Sequence, residues 1–163
     1  MWEGDMSIFD RLRAGVCCET AEDTMKLGEH FASVLPDNQV IALHGDLGTG
    51  KTTFVKGVGR ALGIAPESVT SPTYNIYTLH RGNRQLVHID GYRLEGHSAE
   101  HLLIEEFLEE PWLVAVEWPE RALTHWMDDV LWQLEFEREL NDGVKIRLMK
   151  SPLTESKNPV KHL

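Results

Sequence analysis

Eight consecutive residues, Gly45-Asp46-Leu47-Gly48-Thr49-Gly50-Lys51-Thr52, match at every fixed position the loop that wraps a nucleotide's phosphates. The residue types follow from the task. Main-chain N–H groups converge on an anion only where the chain can take positive φ and approach closely, which glycine allows at low cost. Asp46, Leu47, Gly48, Thr49, Gly50 and Thr53 would supply that cradle, Lys51 would reach the β- and γ-phosphates, and the Thr52 hydroxyl would ligate Mg2+. Hydrolysis needs carboxylates as well, to secure the ion and orient a water. Two acids close hydrophobic runs: Glu117 after Leu113-Val114-Ala115-Val116, and Asp90 after Leu86-Val87-His88-Ile89. An acid at the end of a buried strand puts its charge at the sheet's C-terminal edge, where open α/β sheets bind ligands. The segment Val69-Thr70-Ser71-Pro72-Thr73-Tyr74 crowds hydroxyls around a proline, and through Thr73 it could sense a γ-phosphate as switch segments do; a capped turn is its plainer explanation.

The elements that must position these residues are legible on both sides of the loop. Val40-Ile41-Ala42-Leu43 is a short apolar run, and after the loop Phe54, Val58, Ala61 and Leu62 recur at helical spacing. Strand, loop and helix come in the order the chemistry needs, with the helix N-terminus facing the phosphates. Upstream, Thr20 can cap a helix with Met25, Gly28, Ala32 and Leu35 on one face, ending at Pro36-Asp37. Residues 75–80 and 85–90 form two β-rich runs around Arg81-Gly82-Asn83-Arg84 and should pair as an antiparallel hairpin. A helix is expected over about 98–109, with Leu102, Ile104, Phe107 and Leu108 on its apolar side. A strand buried on both faces follows at Trp112 to Glu117, and the last two strands lie near 130–136 and 144–149. These features predict an α/β protein: a P-loop NTPase three-layer sandwich whose mixed, mostly parallel sheet carries an antiparallel hairpin. Residues 1–18 read as an irregular arm, 19–150 as the ATPase domain and 151–163 as a tail.

Composition narrows the function. The 163 residues, 42% hydrophobic and 26% charged, suit one globular domain. Sixteen Lys and Arg against 26 Asp and Glu give a formal net charge of −10, which disfavours direct, tight binding of nucleic acid. From Glu95 to Glu120 there are eight Glu and no Lys or Arg, either a solvated face or an acidic docking surface for a basic protein. No stretch is long and apolar enough for a membrane span, and Met1-Trp2-Glu3-Gly4-Asp5 lacks the order of a signal peptide, so a cytoplasmic protein is expected. Adjacent Cys17 and Cys18 read as reduced structural thiols. His97 and His101 lack a metal-protease spacing, and Trp112, Trp126 and Trp132 read as core or interface aromatics.

Four motifs taken together resemble one family. The loop with Thr53, Ser71-Pro72-Thr73-Tyr74, His88-Ile89-Asp90-Gly91-Tyr92-Arg93-Leu94 and Val116-Glu117-Trp118-Pro119 stand in the order and spacing of the TsaE (YjeE) family, over about Thr20 to Met149. That resemblance implies a compact α/β ATPase of tRNA threonylcarbamoyladenosine biosynthesis that binds ATP with Mg2+ and hydrolyses it slowly. It implies association with the TsaB–TsaD heterodimer, which transfers threonylcarbamoyl to adenosine 37 of tRNAs reading ANN codons, with tRNA contact left to those partners. By the same likeness Thr52 and Glu117 would hold Mg2+, Lys51 the phosphates, Asp90 would assist hydrolysis, Thr73 would belong to a nucleotide-responsive segment and Trp118 would sit beside the nucleotide.

On the residues alone two rivals stay open. A small-molecule kinase would need an acceptor pocket and an arginine-bearing lid, and Arg81 and Arg84 sit in a short turn. A nucleotide-gated binding module would need no hydrolysis. Guanine specificity lacks an Asn-Lys-x-Asp motif, and the choice of adenine rests on the family likeness. No arginine finger is fixed by the motifs, so slow turnover that a partner stimulates is expected; Arg93 is the best internal candidate.

Overall fold

A computed structural model describes residues 6–72, 76–94, 104–122 and 128–152. Among these, strands β1 (Val16–Cys18), β2 (Gln39–His44), β3 (Tyr77–Arg81), β4 (Gln85–Asp90), β5 (Trp112–Glu117), β6 (Leu131–Arg138) and β7 (Val144–Lys150) form one sheet in the order β1-β7-β6-β2-β5-β4-β3. The central neighbours β4, β5, β2 and β6 are mutually parallel, and antiparallel pairs extend the sheet at both ends. Helices α1 (Ile8–Ala14), α2 (Ala21–Val34), α3 (Lys51–Ala61) and α4 (Pro119–Ala122) accompany the sheet, with short 3-10 turns in the connections. The fold is the α/β arrangement expected, with the hairpin at β3–β4.

Alternation along the strands splits the core in two. Ile41, Leu43, Leu113, Ala115, Trp132, Leu134 and Phe136 face α1, α2 and α3, while Val40, Ala42, Val87, Ile89, Val114 and Val116 pack on the other face with Leu94, Ile104 and Ala122. Aromatic edges organise the first face: Phe31 meets Trp132 at 5.7 Å and Phe54 meets Phe136 at 5.5 Å, both T-shaped. The buried Trp132 indole donates to Gln39 Oε1 at 2.8 Å, so that strand's polar group is satisfied inside the core.

Residues 8–18 differ from the irregular arm expected of them. Ser7 caps α1 by accepting from the Asp10 N–H, Ile8 and Leu12 are buried, and β1 pairs with β7 from Val16↔Ile146 to Cys18↔Val144. A seven-residue helix and a three-residue strand are too short to show periodicity, and their partners lie at the far end of the chain. α2 begins as expected, with a reciprocal capping box between Thr20 and Asp23, but its buried stripe is Thr24, Leu27, Gly28, Phe31 and Ala32. Met25 is only half-buried. Of the helix expected over 98–109, residues 98–103 lie outside the described residues, as do His97, His101, Leu102 and Trp126. Ile104–Glu106 form a single 3-10 turn, and the Gln85 side chain then ties down the chain by donating to Phe107 O at 2.9 Å and accepting from Glu109 N at 2.8 Å. The tail residues 153–163 also lie outside the described residues. Both cysteines are unbridged, Cys17 exposed and Cys18 buried. No helix among the described residues is long and apolar enough to cross a membrane.

α2 and α3 approach each other so closely that neither contact glycine tolerates a side chain. A Cβ on Gly57 would lie 2.0 Å from Met25 O, and one on Gly28 2.3 Å from Phe54 O. Helix propensity alone favours Gly57→Ala by roughly 1 kcal/mol. The clash reverses the sign: the variant is expected to lose about 2 kcal/mol, read as a lower urea midpoint, and to loosen the helix that presents the phosphate loop.

Candidate active site

β2, buried along its length, delivers the chain to the loop at the C-terminal edge of the sheet. The loop turns into α3 through Gly50, whose φ of 93° is a left-handed conformation that a side chain would strain. α2 is sealed by its capping box and carries Glu22 and Asp23 in its first turn; α3 has neither a side-chain cap nor an acid in its first turn. Its N-terminal N–H groups and the positive end of its dipole therefore face the loop without a competing carboxylate.

Lys51, only 4% exposed, donates to the carbonyls of Gly45 and Asp46, the latter at 2.8 Å, and its ammonium lies 4.6 Å from the Trp118 ring centroid. Burial pulls its pKa below the ordinary value, against the opposing pull of Glu117 and then Asp90. Thr49 braces the loop by donating to Asp46 O at 2.8 Å, and Arg138 at the end of β6 donates to Gly48 O at 2.6 Å. Leu47 points outward and is exposed at the loop's tip.

Sheet register brings the acids together. β4 and β5 are parallel with Asp90 opposite Glu117, and Leu43 of β2 stands on the other side of Glu117. Thr52, second residue of α3, donates its hydroxyl to both oxygens of Glu117, at 2.9 and 3.0 Å. Asp90 accepts from Ser71 Oγ at 3.0 Å and from the Tyr92 N–H at 3.0 Å, the second contact capping a 3-10 turn. Leu47, Gly48, Lys51, Thr52, Thr53, Ser71, Asp90, Glu117 and Trp118 line one cleft of about 290 Å3. Beyond β5 the chain turns sharply: Trp118 sits at φ 55°, a strained region for an aromatic residue, which sets its ring over Lys51. Tyr92 packs on that ring at 5.2 Å, and the Arg121 guanidinium lies 5.3 Å from it.

Lys51, Thr52, Thr53, Asp90, Glu117, Trp118, Gly48, Gly50 and Leu47 thus share one cleft. Asp46 and Thr49 instead lie behind the loop, beside His44 and β6. Thr73 falls outside the described residues, and of Arg93 only the backbone is described. Sequence reasoning missed Ser71 as the Asp90 partner, the Arg138 brace, and above all His88. His88 is fully buried and places Nε2 2.6 Å from Glu117 Oε2. The available signal was a lone polar residue within Leu86-Val87-His88-Ile89, a run otherwise suited to burial on both faces.

A cradle of amides with a buried ammonium suits a polyphosphate, and a hydroxyl beside carboxylates supplies hard oxygen donors for a divalent ion. The described residues hold no cluster of three or more His, Cys, Asp or Glu able to chelate a metal alone. The Thr52 hydroxyl and the Glu117 carboxylate are oxygen donors of the kind that Mg2+ accepts.

The chain is similar to known proteins in sequence and in fold. The family model described as threonylcarbamoyl adenosine biosynthesis protein TsaE matches residues 18–146. A protein of Aquifex aeolicus named tRNA threonylcarbamoyladenosine biosynthesis protein TsaE is 42% identical over 108 residues, 65% of this chain and 77% of that one. Its namesake in Streptomyces coelicolor is 35% identical over 122 residues, 72% of this chain and 80% of the other. The match to the Synechocystis protein of that name is 43% identical but spans 65% of it, a little under two thirds. Among solved structures, YdiB of Bacillus subtilis superposes with a TM-score of 0.61 at 27% identity, covering 82% of each chain.

The buried ammonium has a measurable consequence. In the pH window between the lowered pKa of Lys51 in the folded protein and 10.5, the unfolded chain holds a proton that the folded chain has released, so stability rises with pH there. Lys51→Met removes this dependence. Urea unfolding of both proteins from about pH 8 to about pH 10.5 is expected to show wild type gaining on the variant; a pH-independent difference contradicts a Lys51 ammonium destabilised by burial.

Proposed function

The chain belongs to the TsaE family, and on that premise we propose that it binds ATP with Mg2+, hydrolyses it slowly, and serves threonylcarbamoyl modification of adenosine 37 in tRNAs reading ANN codons. The observation that carries the reading is the Thr52–Glu117 contact at 2.9 and 3.0 Å, made where the phosphate loop enters α3. Lys51 would exchange its carbonyl partners for β- and γ-phosphate oxygens, an easy change because those acceptors belong to the loop itself. Thr52 and Glu117 would hold Mg2+, which neutralises phosphate charge as the terminal bond breaks. Asp90, fixed by Ser71 and the Tyr92 amide, would accept a hydrogen bond from the attacking water and orient it toward the γ-phosphate. Trp118 would wall the cleft, and Thr73 would report the nucleotide's state to a partner.

Slow turnover follows from electrostatics. Lys51 is the cation lining the described cleft, and two carboxylates oppose it, so much of the stabilisation that fast phosphoryl transfer needs must come from outside. The family's place in tRNA threonylcarbamoyladenosine biosynthesis makes TsaB–TsaD the proposed source, and the excess of acid over base leaves tRNA contact to that pair. A cytoplasmic site of action accords with such a substrate.

Asp90→Asn is expected to lower kcat for ATP hydrolysis by about 10²- to 10⁴-fold while ADP affinity stays within about threefold. Mixed with TsaB–TsaD and tRNA, the wild type is expected to sustain many rounds of modification with ATP but not with a non-hydrolysable analogue. Equal turnover with the analogue would select a nucleotide-gated module, and transfer of phosphate to a metabolite would select a kinase.

A further inference from the structure

His88 is a buried polar side chain in contact with Glu117. It stands on β4 opposite Ala115 of β5 and Thr78 of β3, two positions before the Asp90–Glu117 pair, with its side chain on the face packed by α3. It is 0% exposed, and Glu117 is 4% exposed. Nε2 lies 2.6 Å from Glu117 Oε2, and Nδ1 is buried with no hydrogen-bond partner among the described residues. Leu86 and Ala115, its neighbours on that face of the sheet, are buried and apolar. An imidazole there leaves one nitrogen orphaned, a cost that native cores avoid unless the other nitrogen does something.

Glu117 receives hydrogen bonds from two sides, Thr52 from the start of α3 and His88 from β4. A carboxylate that ligates a divalent ion is ionised and only accepts, so in that role the 2.6 Å contact takes its proton from Nε2. Thr52 alone shares its hydroxyl between both oxygens and leaves the carboxylate able to rotate; His88 engages Oε2 and fixes the plane. Oε2 is then shared by Thr52 and His88, and Oε1 is engaged by Thr52.

We propose that His88 is a positioning residue for the divalent ion: its Nε2–H locks the Glu117 carboxylate so that Glu117 and Thr52 present preset oxygens to Mg2+ bound with the nucleotide. This inference rests on the reading of Thr52 and Glu117 as the ion's ligands. Partners that orient metal-binding groups in this way are commonly worth about 10- to 100-fold in metal affinity.

The test compares two polar variants of similar bulk. In His88→Gln the side-chain amide nitrogen reaches about as far as Nε2, whereas in His88→Asn it falls at the level of Nδ1, too short to meet Glu117. MgCl2 is titrated into each protein saturated with ADP, with ADP affinity in EDTA and thermal unfolding recorded alongside. His88→Asn is expected to need about 10- to 100-fold more Mg2+ for half-saturation, with ADP affinity in EDTA unchanged, and His88→Gln to restore most of the loss. Equal behaviour of the two variants, or a wild-type Mg2+ midpoint in His88→Asn, would overturn the proposal. A wild-type protein that binds ADP with no Mg2+ dependence would instead overturn the assignment of Thr52 and Glu117.

Discussion

One hydrogen-bonded junction governs the site: the hydroxyl of Thr52, at the start of α3, held against both oxygens of Glu117 at the end of β5. It joins the element that offers positive charge and open N–H groups to the element that offers a carboxylate. For the two to meet, β2 must lie beside β5 in parallel register, so that the chain leaving β2 for the loop returns over the neighbouring strand's end. Parallel β4 on the far side then sets Asp90 opposite Glu117. The antiparallel additions, β3 at one end and β7–β1 beyond the parallel β6, extend the sheet without disturbing this edge.

The junction is expensive to maintain. Lys51, Glu117 and His88 are all buried, His88 against Glu117, and one imidazole nitrogen lacks a partner among the described residues. Trp118 adds a left-handed backbone conformation at an aromatic residue. Such features lower stability by about 1–3 kcal/mol each and persist where the surroundings over-determine them. Here the surroundings are a core of fully buried aliphatic strands and the T-shaped aromatic contacts beneath α2 and α3. Rigid packing below and strained polar groups above are the expected division of labour in a site that must present fixed charges to a polyanion.

Much of this was legible in the sequence because its signals are local. The loop's spacing, the Thr20 capping box, the hairpin and the acids at Asp90 and Glu117 each sit within a few residues of the feature that reveals them. What escaped depends on distant partners. Three residues at Val16–Cys18 become a strand only because β7 is there to pair with them. On α2 the expected Gly28 and Ala32 are buried, but Phe31 rather than Met25 carries the stripe because Phe54 of α3 and Trp132 of β6 lie against it. His88 lies in a strand buried on both faces, where alternation says nothing about side, and its partner is 29 residues away.

The central claim is that the amides of the 45–53 loop, Lys51 and the Thr52–Glu117 junction together form a site for a magnesium-bound polyphosphate. Calorimetric titration of ADP into the folded wild-type protein, once with MgCl2 and once with EDTA, tests it most directly. Saturable single-site heat in both, with tighter binding when magnesium is present, is the predicted result. No saturable heat in either titration, from a sample that circular dichroism shows to be native, would contradict it.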